Sequence, residues 1–211
     1  RLPADVEAGV ERVAAVMRGE VKGLPPFAPP VLRAGERCIA QTAAICAFLA
    51  RRHGLLPDDA VVQAQAIQLQ LTIADVVDEA HATHHPVSTA LTYEDQKEAA
   101  REAATHFVRQ RLPRFLGYFE RVLAAGDGAH LIGDGVTHVD LALFQLVEGL
   151  RHAFPTAMRA LEKEAHRVVV LHDRVADQPA VAAYLSSDRR IPFNEDGIFR
   201  AYPELDIASS D

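Results

Sequence analysis

Cysteine is scarce in this chain: among 211 residues only Cys38 and Cys46 occur, eight positions apart and without CxxC spacing. That pattern supports neither a disulfide framework nor a zinc site, and both residues read as buried thiols. A clustered basic stripe is also missing, and the formal net charge is −7. Phosphate-backbone binding lacks its usual electrostatic footprint, so nucleic acid is not an expected partner. No apolar run reaches the roughly 20 residues needed to span a bilayer, and no signal-peptide pattern opens the chain. A cytoplasmic protein with no membrane partner is the expectation. What is present is 49% hydrophobic and 24% charged residues, enough for a core and an ordinary charged surface in one or two domains.

The most informative stretch runs from Phe27 to Gly54. Ala28-Pro29-Pro30 excludes helix, because each proline fixes φ and lacks an N–H, and the residue before a proline is pushed toward extended geometry. Val31-Leu32-Arg33, Ala34-Gly35-Glu36 and Arg37-Cys38-Ile39-Ala40 then predict strand, tight turn, strand. A helix starts near Gln41-Thr42, carries Ala43, Ala44, Ile45, Cys46, Ala47, Phe48, Leu49 and Ala50, and stops at Gly54. Its first turn offers unpaired N–H groups and the positive end of the macrodipole, a setting that binds carboxylates. Gln41-Thr42 therefore reads either as part of an anion site or as a plain helix cap.

Beyond Gly54 the strand signal vanishes. Residues 58 to 82 predict one long helix, with Val62, Ala66, Leu69, Ile73, Val76 and Val77 at three- and four-residue steps. Thr92-Tyr93-Glu94-Asp95 opens the next in capping-box style, and Phe107, Val108, Leu112, Phe115, Leu116, Phe119 and Leu123 supply its apolar stripe. Pro113 inside that stripe predicts a kink. At Gly133-Asp134-Gly135-Val136-Thr137-His138-Val139-Asp140-Leu141, Thr137 can cap a helix and Asp140 can bond back to the Thr137 N–H. Val136 and Leu141 complete a hydrophobic staple.

The double proline with Gln41-Thr42, and the box at Thr137 and Asp140 about 95 residues later, resemble the cytosolic glutathione transferase superfamily in the expected order. The run from Val175 to Leu185 resembles that family's last helices. The resemblance implies an α+β to mostly α fold. A partial thioredoxin-like, glutathione-binding domain would span residues 1–54, and an all-helical domain residues 58–211. Pro30 would be the cis-proline before the third strand, and Gln41 with Thr42 would hold the γ-glutamyl carboxylate of glutathione. Thr137 and Asp140 would be structural. Asp75 matches a position from which family dimers reach the partner subunit's glutathione, and Lys22 lies roughly where a family lysine meets the glycyl carboxylate. The residue-level alternatives are a solvated helix face for Asp75 and a surface lysine for Lys22.

One departure lies at Pro29. Family members use the residue before the cis-proline to exchange two backbone hydrogen bonds with the cysteinyl part of glutathione, and Pro29 can offer only its carbonyl. Losing one such bond costs about 0.5–1.5 kcal/mol. Residues 1 to 26 contain no Tyr, Ser or Cys; Val6, Val10, Val13 and Met17 trace a helix matching the family's second. The residue that activates the glutathione thiol is therefore expected upstream of residue 1, and the catalytic residue is unknown. Residues 1–54 in isolation are expected to be poorly stable.

His81-x-x-His84-His85 invites a metal reading, since imidazoles three or four apart share a helix face. Pro86 implies fraying there, no second cluster accompanies it, and the resemblance requires no metal. The expectation is no metal, with these residues lining the electrophile pocket. His172, Asp173 and Asp177 form no triad with a serine and read as surface groups. Two functions follow from the resemblance: a transferase using glutathione thiolate against a small electrophile in detoxification, working as a homodimer, or a non-catalytic transferase-like binding or regulatory module.

Overall fold

The computed structural model describes residues 4–20, 22–126 and 128–207, with no account of the side chains of residues 4–8. The chain divides into two compact units, residues 1–56 and 57–211.

The first unit holds helix α1 (Ala4–Met17), strands β1 (Val31–Ala34) and β2 (Arg37–Ala40), and helix α2 (Thr42–Arg52). The strands pair antiparallel, with Val31 opposite Ala40 and Ala34 opposite Arg37. Gly35 turns the hairpin at a φ of 65°, a backbone region closed to most side chains and the first central position of a II′ turn. The peptide bond between Pro29 and Pro30 is cis. Gly54, with φ 70°, ends α2 in a left-handed cap, so that the Leu55 N–H reaches the Ala50 carbonyl at 2.9 Å. The α1 stripe is not covered: Val10 is 56% and Val13 43% exposed. A two-stranded sheet offers too little apolar surface to bury a second helix. Cys38 and Cys46 are free and half-buried rather than buried, because the strands and α2 each bury only one side. Burial still pushes the Cys46 thiol up, which keeps it protonated.

The second unit is helical. Helix α3 (Ala60–Ala82) is capped by Asp59, whose carboxylate accepts from the Val61 and Val62 N–H groups at 2.9 Å. Helices α4 (Lys97–His106) and α5 (Leu112–Ala125) follow, then α6 (His138–Ala153), α7 (Pro155–Leu161), α8 (His166–Ala176) and α9 (Pro179–Leu185). The core forms where α6 packs against α3 and α8. Leu69, Ile73 and Val76 of α3, Phe119 and Leu123 of α5, and Leu143 and Val147 of α6 are buried there. By length and apolar content α3 would suffice to cross a bilayer. Gln63, Gln65, Gln68 and Gln70 interrupt it, however, and its apolar stripe packs on α6, as in an amphipathic core helix.

The kink expected at Pro113 takes a specific form. A turn of π-helix, Phe107–Arg111, separates α4 from α5. The wider turn comes just before the proline, where the carbonyl that loses its donor must be accommodated. Thr92 and Asp95 form their reciprocal pair, with the Thr92 N–H donating to Asp95 Oδ2 at 3.0 Å, but it opens a 3₁₀ turn, Glu94–Gln96, ahead of α4. His172 is a correction: it is 6% exposed. The period of α8 turns it inward with Val168, Leu171 and Val175, where it stacks on Phe144 and meets Glu148 Oε1 at 3.0 Å. Asp173 and Asp177 are exposed.

The last described segment, residues 191–207, has little regular structure and lies across the helices as a strap. Phe193 stacks on His152, and Tyr202 stacks on Tyr93 with centroids 3.8 Å apart. The Tyr93 hydroxyl donates to Glu204 Oε1 at 3.0 Å; burial and this acceptor push its pKa up. Asp206 accepts from the Thr156 N–H at 2.8 Å and the Ala157 N–H at 3.1 Å at the start of α7.

Candidate functional site

The hairpin register builds the first candidate site. Val31 and Ala40 form the last pair at the open end of the hairpin, and Pro30 and Gln41 are the chain neighbours that flank this pair. Gln41 has φ 68° and ψ 121° and makes no side-chain cap to α2. It is the one non-glycine residue with positive φ among the described residues. Such a backbone costs about 1–3 kcal/mol and persists where surrounding structure enforces it, often at functional sites. Gln41 thus caps α2 through its carbonyl, which accepts from the Ile45 N–H at 3.0 Å, and leaves its side chain out of the cap. No acidic side chain occupies the first turn of α2, so its N–H groups and positive dipole end face outward without local neutralisation. Gln41, Thr42, Pro29 and Pro30 are all exposed. They present an amide and a hydroxyl as donors around a helix start, suited to a carboxylate, and the Pro29 carbonyl as an acceptor for a peptide N–H.

Lys22 is exposed and bonds Glu36 Oε2 at 2.5 Å, so its ammonium already has a carboxylate partner within the first unit. Asp75 is exposed on α3 in the second unit.

In the second unit Thr137 and Asp140 form the box read from the sequence. The Thr137 N–H donates to Asp140 Oδ2 at 2.7 Å, and the Thr137 hydroxyl donates to the same oxygen at 2.8 Å. Asp140 Oδ1 also accepts from the Leu131 N–H at 2.8 Å, a bond without a signal in local spacing. The fraying expected near Pro86 does not occur. The Thr83 hydroxyl donates to the Ala80 carbonyl at 2.7 Å, and His84 is 2% exposed beneath the strap. A covered ring cannot line an open pocket, whereas His81 and His85 are half-buried. Burial pushes the His84 pKa down to about 4, so this ring is neutral at physiological pH.

A groove of about 440 Å³ in the second unit has no counterpart in the sequence reading. Arg111, Arg114, Arg121, Phe115 and Tyr118 line it, with Gln68 and Thr72. Arg111 is held by Glu79 at 2.6 and 2.8 Å and lies over the Phe115 ring.

The family model described as glutathione S-transferase, C-terminal domain, matches residues 81–188, just over half of the chain. The chain belongs to the glutathione transferase superfamily. A glutathione S-transferase of Plasmodium yoelii yoelii is 22% identical over 138 residues, covering 65% of this chain and 59% of that relative. The chain thus spans less than two thirds of that relative's length. Glutathione S-transferase 2 of Onchocerca volvulus is 26% identical over 175 residues, covering 80% of this chain and 75% of that protein. Among solved structures, a Nu-class glutathione transferase of Haemonchus contortus is similar with a TM-score of 0.61 at 20% identity, over 92% of this chain and 84% of that one. That likeness concerns the fold: a small partial thioredoxin-like sheet domain followed by a transferase-type helical domain.

Proposed function

We propose that Gln41, Thr42 and the Pro29 carbonyl, beside Pro30, hold glutathione, and that the protein conjugates its thiolate to a small electrophile. The observation that carries this reading is the left-handed Gln41 at a helix start without a side-chain cap, in a hairpin entered through a cis-proline. The helix start and the Thr42 hydroxyl meet the γ-glutamyl carboxylate, and the Pro29 carbonyl accepts from the cysteinyl N–H. Free thiols ionise near pH 8.5, so turnover at neutral pH needs a thiolate-stabilising hydroxyl or thiol from outside this residue set. Lys22 is proposed as a secondary contact to the glycyl carboxylate, which has to displace Glu36, and Asp75 as a contact reaching across a dimer to the amino group of the glutathione held by the partner subunit. Ile67 and Leu71 on α3 are 48% and 52% exposed, apolar surface that favours a homodimer, in the cytoplasm.

Calorimetric titration of glutathione tests the clamp. Thr42→Ala is expected to weaken binding about tenfold, the loss of one hydrogen bond to a charged group, and Thr42→Ser to restore it. Equal affinity in parent and Thr42→Ala would overturn the assignment. Gln41→Gly adds a second expectation. Glycine adopts φ 68° freely, so the variant should gain about 1 kcal/mol of stability while binding glutathione less tightly; a loss of stability would show that the conformation carries no cost. The missing N–H at Pro29 favours a second reading, a binding module without chemistry. Glutathione binding without turnover of an aryl halide would select it.

A further inference from the structure

At the end of α3 three imidazoles fold onto one another. His81 lies in the last turn, and the bend through Thr83 returns His84 and His85 toward it, with ring centroids 4.9, 5.2 and 4.8 Å apart. One candidate ligand atom from each ring lies within 4.8 Å of the other two.

His84 decides what the cluster can do. Its Nε2 lies 2.8 Å from the Ile198 carbonyl oxygen. A carbonyl only accepts, so Nε2 carries the ring proton and Nδ1 carries a bare lone pair. That lone pair is buried and meets no hydrogen-bond donor. An imidazole whose far N–H is anchored on a backbone carbonyl is oriented as metal-bound histidines are. His85 lies between two donors, its Nδ1 3.1 Å from Gln96 Nε2 and its Nε2 facing Arg200 Nη1 at 3.2 Å. A guanidinium only donates, so that nitrogen also presents a lone pair, at present covered by a cation.

We propose that His81, His84 and His85 bind one borderline divalent transition-metal ion, zinc in the first instance, with the Arg200 guanidinium displaced from His85. Three neutral imidazoles without a thiolate suit zinc, copper or nickel rather than calcium or magnesium. Zinc takes them with no directional preference of its own and completes its shell with water. With Zn–N bonds of about 2.0–2.1 Å, tetrahedral ligand nitrogens lie about 3.3 Å apart. The present spread of 4.8 Å closes by side-chain rotation of the half-buried His81 and His85 toward the fixed His84.

The test uses the full chain without a polyhistidine tag, stripped by chelator and titrated with zinc in competition with a chromogenic chelator. One zinc per chain is expected. His81→Ala and His85→Ala, at half-buried positions, should each weaken binding at least tenfold, since loss of an outer-shell partner alone costs about 10–100-fold. Circular dichroism checks that both fold. Arg200→Gln should tighten binding, because it removes the competing cation. Absence of saturable zinc, unchanged affinity in both histidine variants, or weaker binding in Arg200→Gln would each overturn the site.

Discussion

Asp140→Ala is expected to lower the stability of the protein by about 3 kcal/mol. Loss of the box at the start of α6 accounts for about 1 kcal/mol of this. The remainder comes from the Leu131 N–H, which donates to Asp140 Oδ1 at 2.8 Å in a residue only 5% exposed; a buried donor left without a partner costs about 1–3 kcal/mol. Water cannot readily replace the carboxylate, because Asp140 itself is 0% exposed. At about 2–4 °C per kcal/mol for a chain of this size, the melting temperature should fall by about 6–12 °C. Thr137→Ala removes only one part of the cap and should cost about 1 kcal/mol. Equal losses in the two variants would show that the Leu131 bond contributes nothing, and an Asp140→Ala melting temperature within about 2 °C of the parent would sink the whole account.

The Asp140 side chain also marks how far a sequence can be read. Its bond to Thr137 spans three residues and follows from a spacing rule. Its bond to Leu131 spans nine and depends on how the loop before α6 folds back, which no local pattern specifies. The same division holds elsewhere. The α3 stripe, the α2 stop at Gly54 and the hairpin turn at Gly35 were legible, because periodicity and glycine act over a few residues. The inward turn of His172 was not, because its partners Glu148 and Arg151 lie on α6, more than twenty residues away. Nor was the strap: Phe193, Ile198, Phe199 and Tyr202 are isolated apolar residues without a period, and their partners His152, His84, Gly149 and Tyr93 all lie on distant elements of the chain.

The candidate site shows the same limit. The helix start at Gln41-Thr42 was readable from the sequence, whereas the φ of 68° at Gln41 is invisible in it. Glutamine has no preference for that conformation; the turn from β2 into α2 imposes it. For the histidines, spacing alone left a frayed helix end as the natural reading. The Ile198 carbonyl, 114 positions away, is what fixes the His84 tautomer.

The strap supplies the second large effect. Gly149, buried on α6, lies under the Phe199 ring, and a Cβ there would stand 2.4 Å from Phe199 Cδ2 and 2.5 Å from Cγ. Carbon atoms prefer about 3.5–4.0 Å, so any side chain must push the ring outward by about 1 Å or more. Phe199 cannot move alone. Ile198 before it holds the His84 ring through its carbonyl, and Arg200 after it donates to the Gly197 carbonyl at 2.7 Å. Gly149→Val is therefore expected to cost about 3 kcal/mol, at the upper end of overpacking penalties, because valine regains little helix propensity over glycine. Limited proteolysis should cut between Ile191 and Leu205 faster than in the parent, since the displaced strap loses its anchors. Phe199→Ala removes the ring that valine would strike. The double variant Gly149→Val with Phe199→Ala should then be more stable than the sum of the single losses allows, by roughly 1 kcal/mol or more for residues in contact. Strict additivity would mean that the strap does not rest on Gly149 in solution.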